Sequence, residues 1–334
     1  MLRIAIVGSG FGLYGQLPAL NSIKNCEVVA ICGKKTERLV NYCQSIALKK
    51  IYTNSQEMQE NEKLDAIAIA VNPYSQYKIA KKAIEKGIHV FAEKPLAINV
   101  TQAKELLNLA KKNKITNAID FIFPEIDEWK KTKQLLDDKK FGKLMHISAN
   151  WDFLSFDLRN KVSSWKTDVT EGGGALSYYF SHSLYYLEYY AGEIADVKSI
   201  MSYSKENKNG AETGVDLILK FENDVTGYAH ISCSCRGLTR HRLLFQCEKG
   251  TVLLENDKGV TDNFILKTYN ENEQETLFVS DKIIGKEDER VKIVKRIAQR
   301  FVEACLNHKQ MIPSFKEGLR VQELIEKIRN ESIQ

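Results

Sequence analysis

Glycine follows the first apolar run almost at once. The chain opens MLRIAIVGSGFG, so a short strand from Arg3 to Val7 gives way directly to the loop Gly8, Ser9, Gly10, Phe11, Gly12. A glycine turn between a buried strand and a helix lets the backbone approach a pyrophosphate. The helix behind it offers unpaired N–H groups and the positive end of its dipole to the anion. The spacing departs from GxGxxG, because Leu13 holds the place of the third glycine, so alone the loop is equally a plain turn. Its setting favours a dinucleotide. Apolar β-branched runs alternate with helical patterns through the first third: a helix from about Gly12 to Ile23, a strand from Glu27 to Cys32, and a helix from about Thr36 to Ser45. Then come a buried-type strand from Ala66 to Val71, a helix from Gln76 to Lys86, a strand from Ile88 to Ala92, a helix from Val100 to Asn113 and a strand from Thr116 to Phe121. That alternation predicts an α/β domain with a doubly wound parallel sheet.

At 334 residues the chain is long enough for two domains. After a helix from about Pro124 to Asp138 the texture changes. Leu144 to Phe153, Val215 to Phe221, Val225 to Cys233, Leu243 to Cys247 and Thr251 to Glu255 read as strands, with tight turns at Asn223-Asp224 and Lys249-Gly250. The second domain is therefore an antiparallel or mixed sheet with helices on one face. Its longest helix should run from the glycines at 172–174 to about Tyr190, and two final helices should span about Glu289 to Asn307 and Gly318 to Asn330. The expected boundaries are 1–121 for the dinucleotide-binding domain and 122–334 for the substrate and oligomerisation domain, the last helices being free to pack back on the first.

Hydrophobic residues at 43% and charged residues at 27% exclude wholesale disorder, and a net charge of +5 spread along the chain does not imply nucleic acid binding. Seven cysteines without a CxxC pair read as reduced thiols in a cytoplasmic protein. No window approaches the ~20 apolar residues of a membrane span.

An acidic residue at the end of the second strand normally holds the ribose 2′-OH of NAD. This chain has Gly33, Lys34 and Lys35 there. Loss of the carboxylate and gain of cations suit a 2′-phosphate, so NADP(H) is expected over NAD, which stays possible. Val71, Asn72 and Pro73, ending the next long strand, join the expected cofactor contacts. Glu93-Lys94-Pro95 leaves another strand at its carboxyl end, where ligands of such sheets bind. There Lys94 can hydrogen-bond a substrate oxygen and stabilise negative charge. Farther on, Gly172-Gly173-Gly174 leads into a helix carrying Tyr178, His182, Tyr185 and Tyr189 on one face. His182 could be an acid/base group, although on this segment alone an aromatic stripe in a core or dimer interface is the better reading. His89, His146, His230, His241 and His308 show no metal-ligand spacing, so no metal is expected.

Assembled, these residues resemble the glucose-fructose oxidoreductase and inositol dehydrogenase (Gfo/Idh/MocA) family over nearly the whole chain. The resemblance rests on Gly8 to Gly12 with Gln16-Leu17-Pro18-Ala19-Leu20 behind it, on HVFAEKPLA from His89 to Ala97, on GGGAL with His182, and on PSFKEGLRVQ from Pro313 to Gln322. It implies a Rossmann domain followed by an α/β domain with a large open sheet, an NAD(P) cofactor, and hydride transfer at a carbon bearing a hydroxyl or carbonyl, often on a sugar or nucleotide sugar. By the same resemblance Lys94 is the active-site lysine and His182 the acid/base histidine, both meeting the substrate in the interdomain cleft. Two departures stand out: Tyr178 and Tyr185 occupy positions where many members carry acids, which leaves Asp168 or Glu171 to orient His182 and makes Tyr178 a second proton donor. Trp151, Trp165, Lys166 and Arg236 are expected around the substrate. An exposed apolar sheet face predicts a homodimer or homotetramer. Two other readings stay open, a cofactor-binding regulator without turnover and a reductase of a non-sugar substrate.

Overall fold

The computed structural model describes residues 1–204, 210–277, 279 and 288–333. They fall into two compact units, Met1–Ile122 with Lys286–Gln322, and Phe123–Gly285 with Glu323–Gln334.

The first unit is built on six strands: β1 (Leu2–Val7), β2 (Cys26–Cys32), β3 (Ile51–Tyr52), β4 (Ala66–Ile69), β5 (His89–Ala92) and β6 (Asn117–Ile119). All pair in parallel, in the order β3-β2-β1-β4-β5-β6. Parallel strands require crossovers and cover on both faces, which is why β4 reads Ala66-Ile67-Ala68-Ile69 with every residue buried. The crossovers carry α1 (Leu17–Asn21), α2 (Glu37–Ser45), α3 (Ser55–Asn61), α4 (Pro73–Glu85) and α5 (Val100–Lys112). Thr36, Asn54, Asn72 and Asn99 cap the last four through side-chain oxygens. From β1 the chain builds outward on one side and then on the other, so β1 and β4 flank the switch point where such sheets bind ligands. The open edge of β6 is closed by the segment with Pro313: Ile119 N donates to Pro313 O at 3.2 Å, and Phe315 N donates to Asn117 Oδ1 at 2.7 Å. PSFKEGLRVQ thus has a structural reason in its first half.

In the second unit nine strands form one sheet: β7 (Leu144–Asp152), β8 (Ile194–Ser202), β9 (Gly214–Phe221), β10 (Thr226–Ser232), β11 (Arg240–Cys247), β12 (Gly250–Asn256), β13 (Ile265–Tyr269), β14 (Gln274–Leu277) and β15 (Ser332–Ile333). Their order is β14-β13-β12-β11-β7-β10-β9-β8-β15, antiparallel except where β7 meets β10 and β8 meets β15. Alternation shows the two faces plainly in β9, which buries Val215, Leu217, Leu219 and Phe221 and exposes Ile218 and Lys220. Helices α6 (Asp127–Asp137), α7 (Phe156–Asn160), α8 (Ala175–Tyr178) and α9 (Phe180–Ala191) complete the unit. β8, β13 and β14 escaped the sequence reading because their patterns are diluted; β8 pairs its inward Val197 with a buried serine, Ser199.

One expectation is corrected. The helix from the glycine run to Tyr190 is not a single rod: α8 stops at Tyr178, Tyr179 forms the junction, and α9 starts at Phe180. Here His182 N bonds Tyr179 O at 3.2 Å, a three-residue closure. The Tyr179 ring is packed 4.7 Å from Phe153. Tertiary packing of that ring wins over helix continuity, so Tyr178 and His182 do not share the regular helical face that their spacing suggests.

Candidate active site

The glycine loop separates glycines demanded by packing from one that is not. A Cβ on Gly8, whose φ is +133°, would lie 2.3 Å from Ala70 O. At Gly15 a Cβ would fall 2.3 Å from the Phe11 ring, which folds back over it. At Gly10 a Cβ would meet nothing within 4 Å. A glycine with no internal reason leaves backbone open to an incoming group, and this fits a dinucleotide pyrophosphate beside the helix start. Phe11 carries the Arg290 guanidinium 4.6 Å above its ring and Tyr14 edge-on at 5.6 Å. Gly33 faces Ser9 of the loop, where a Cβ would come within 2.8 Å of Ser9 Cβ, so the position that usually holds a carboxylate has no room for one. Lys34 and Lys35 are exposed. Arg38, not singled out in the sequence, lies 5.5 Å over the Tyr14 ring and adds a third cation to this corner. Asn72 spends its Oδ1 on the α4 cap, accepting from Ser75 N at 2.8 Å, while Val71 is half-buried and Pro73 buried at the first turn.

Lys94 stands on a turn held by buried amides. Gln76, 1% exposed, donates through Nε2 to Glu93 O (2.6 Å), Pro95 O (3.0 Å) and Leu96 O (3.2 Å), and its Oε1 accepts from Glu93 N at 3.0 Å. From the helix behind the glycine loop, Gln16 Nε2 donates to Glu93 Oε1 at 3.2 Å. Two motifs that are far apart in sequence are thereby joined within the first unit. Neither glutamine was singled out as a site residue, and a glutamine in a helix gives no such signal on its own.

In the second unit His182 is 7% exposed, its ring 5.1 Å from Phe123 and perpendicular to it. Phe123 in turn meets Trp129, Trp151 and His241 at 5.0, 5.4 and 5.0 Å. Trp151 lies flat on His241 at 4.6 Å, and Tyr186 OH, which accepts from Ser183 Oγ at 2.7 Å, faces His241 Nε2 at 3.1 Å. Burial among these rings pushes His241 down to about 3, so it is neutral. It is a core histidine whose Nε2 meets one hydroxyl, while its Nδ1 has no hydrogen-bond partner among the described residues. Trp165, Lys166 and Tyr178 form a second group: the Tyr178 ring meets Trp165 at 5.2 Å, and Lys166 Nζ stands 4.6 Å over it and 3.9 Å from Asp157 Oδ2. Rings connect the two groups, because Tyr179 touches both Tyr178 (4.5 Å) and Trp151 (6.2 Å).

The glycine run is a packing device. A Cβ on Gly173 would lie 2.1 Å from Trp165 O, and one on Gly174, at φ +111°, would lie 2.2 Å from Glu212 Oε1. Glu212 is 3% exposed; its Oε1 accepts from Leu176 N at 3.1 Å and from Arg329 Nη2 at 3.0 Å, and Arg329 also donates to Gly173 O at 2.7 Å. The buried carboxylate that holds the start of α8 is thus Glu212. Asp168 Oδ1 accepts from Thr170 N and Oγ1, which hold it below the usual carboxylate range, and Glu171 is exposed.

Residues 2–121 match the NAD-binding Rossmann fold of the Gfo/Idh/MocA oxidoreductase family, and residues 129–253 match the C-terminal domain of the same family. An uncharacterized oxidoreductase of Synechocystis is 27% identical over 344 residues, covering 97% of this chain and 92% of its own. Among solved structures, levoglucosan dehydrogenase in complex with NADH and L-sorbose gives a TM-score of 0.86 at 16% identity, over 99% of this chain and 96% of that one. A 3-ketoreductase from Actinomadura kijaniata in complex with NADP and TDP-benzene gives 0.83 at 18% identity, over 99% and 98%. At such identities the structural likeness speaks for the fold alone.

Proposed function

The chain belongs to the Gfo/Idh/MocA family of NAD-binding oxidoreductases, and on that footing we propose that it moves a hydride between the nicotinamide and a hydroxyl or carbonyl carbon of a sugar, sugar phosphate or nucleotide sugar. The observation that carries this reading is the Glu93–Leu96 turn, clamped by Gln76 and tied through Gln16 to the glycine-loop helix. A lysine held so firmly beside a cofactor loop suits a donor to a reacting oxygen. The ligands named for the two solved relatives, L-sorbose and TDP-benzene, support a sugar or nucleotide conjugate as the substrate class.

When bound, the nicotinamide supplies or takes the hydride. Lys94 then donates to the substrate oxygen and stabilises its negative charge, and His182 accepts or returns the hydroxyl proton, with Tyr178 as the alternative donor. Trp151, Trp165 and Lys166 surround the substrate. Residues 1–121, with Lys286–Gln322 grouped in the same unit, hold the cofactor, and the rest of 122–334 holds the substrate and the oligomer contact. NADP(H) is preferred: Gly33 leaves no room for a carboxylate, and Lys34 and Lys35, joined by Arg38, offer charge to a 2′-phosphate. No helix among the described residues is long and apolar enough to cross a membrane, and seven free cysteines support a reducing, cytoplasmic setting. The sheet face bearing Ile200, Ile218 and Ile265, exposed by 54%, 69% and 43%, supports a homodimer or homotetramer; a monomer in sedimentation at micromolar concentration would count against it.

Incubation with NADP+ or NADPH and a panel of sugars, sugar phosphates and nucleotide sugars, followed by the absorbance of the reduced nicotinamide, tests the activity. Tight cofactor binding without turnover on any of them would favour a regulator. In titration calorimetry NADPH should bind more tightly than NADH, and Lys34→Ala should erode the difference by about 1.5 to 3 kcal/mol. Equal affinities would remove the cofactor argument.

A further inference from the structure

Asp120 has no part in the reading above. It directly follows β6, and its N–H donates to Ala92 O at 2.9 Å, so strand pairing alone sets its backbone beside the start of the Glu93–Leu96 turn. The side chain is 1% exposed and meets the Glu93 carboxyl at hydrogen-bonding distance. Ionised carboxylates only accept, so two in contact require a proton between them. The partners show which one keeps it. Glu93 Oε1 accepts from Gln16, whereas no donor reaches Asp120 Oδ1. The charged groups facing Asp120 are Glu93 and Lys94 on the turn and Arg290 ahead of the helix Val291–Leu306. Burial and the Glu93 charge hold the Asp120 carboxyl well above the usual range, against the opposing pull of Lys94 and Arg290.

We propose that Asp120 is a positioning residue that acts as a neutral carboxylic acid, donating one hydrogen bond to Glu93 and so holding the turn that carries Lys94. This rests on the role of Lys94 given above. The proton keeps one negative charge at the turn where two would repel in a site shielded from water. Because Gln76 binds the backbone at Glu93, Pro95 and Leu96, a shift of Glu93 passes directly to Lys94. Ionisation of Asp120 as pH rises makes the pair doubly charged and loosens the turn.

Asp120→Asn keeps a donor toward Glu93 and cannot ionise; Asp120→Ala removes the donor. Infrared spectra of the whole protein at pH 7 should show the C=O band of a buried carboxylic acid, shifted in D2O and lost in Asp120→Asn. NADPH affinity and kcat of Asp120→Asn should stay within about twofold of wild type at pH 7, while Asp120→Ala loses about tenfold or more in kcat, the worth of one buried hydrogen bond. The alkaline decline of kcat should be absent from Asp120→Asn. A wild-type protein without the band, or an Asp120→Asn profile with the same alkaline limb, overturns the proposal even if Asp120→Ala fails to fold. Lys94→Met at full activity would instead sink the role of Lys94, while the band reports on Asp120 regardless.

Discussion

Asp120 in the first unit and His241 in the second are both fully buried titratable groups, and both are held neutral by the same cause with opposite sign. Burial disfavours whichever form is charged, so it raises the aspartate well above its usual range and lowers the histidine to about 3. Their surroundings differ. Asp120 sits among ions and amides, with Glu93, Lys94 and Arg290 in electrostatic reach, whereas His241 lies among rings with the Tyr186 hydroxyl beside its Nε2. The first region positions by directed hydrogen bonds, and the second by shape. A polar region can therefore be tuned by one proton, while a ring cluster changes only when a ring is removed or charged.

The largest effects should come from the groups beside these two. Lys94→Met should lower kcat on the order of 10²-fold or more, and His182→Asn about 10²- to 10⁴-fold, read by steady-state kinetics on the substrate that the panel identifies. Full activity in His182→Asn with none in Tyr178→Phe would move the acid/base role to the tyrosine, to which the break at Tyr179 gives separate surroundings.

Next in size is the pH dependence of stability, which tests the opposite signs directly. His241 titrates lower when folded than unfolded, so its contribution is intact above about pH 6.5 and is lost as pH falls toward 3. Between pH 7 and pH 4.5 the loss should be about 3 kcal/mol in urea unfolding, and His241→Phe should lose correspondingly less. Equal losses in the two proteins would show that another group is responsible. Asp120 runs the other way: its folded form binds a proton more tightly, so its ionisable carboxyl increasingly destabilises the fold as pH rises above about 4. Asp120→Asn should gain on wild type over that range.

The smallest effect should be Gly10→Ala. With no neighbour within 4 Å of its Cβ, the substitution should change stability by no more than about 0.5 kcal/mol while weakening cofactor binding measurably in calorimetry. A large drop in Tm with unchanged cofactor affinity would show that Gly10 serves packing after all.

Periodicity and punctuation made most of the first unit legible. Apolar four- to six-residue runs and glycine after β1 are local signals, and they led to Gly8–Gly12 and, at the carboxyl end of a strand, to Lys94. Val71 was read into β4, which ends at Ile69, an error of the size that frayed ends produce. In the second unit Trp151 and His182 could be named as residues to watch, but nothing local indicated that Phe123 would join them or that His241, dismissed as a metal ligand, would be the ring stacked on Trp151. Asp120 had a faint signal, an acid inside the otherwise apolar stretch AIDFIF. Glu212 and Arg329 had none.

The alternation of strand and helix through most of the first unit, the parallel character of its sheet and the place of the glycine loop follow from the sequence by itself, because each depends on the pattern of residues within one element and its neighbours. What the tertiary structure alone decided are the relations between distant residues: Gln16 and Gln76 on one turn, Asp120 against Glu93, Glu212 in the space left by Gly174, and Tyr179 breaking a helix for the sake of its ring. Those contacts carry little local signature, since a buried amide or carboxyl finds its partner only once strand pairing and packing have excluded water around it.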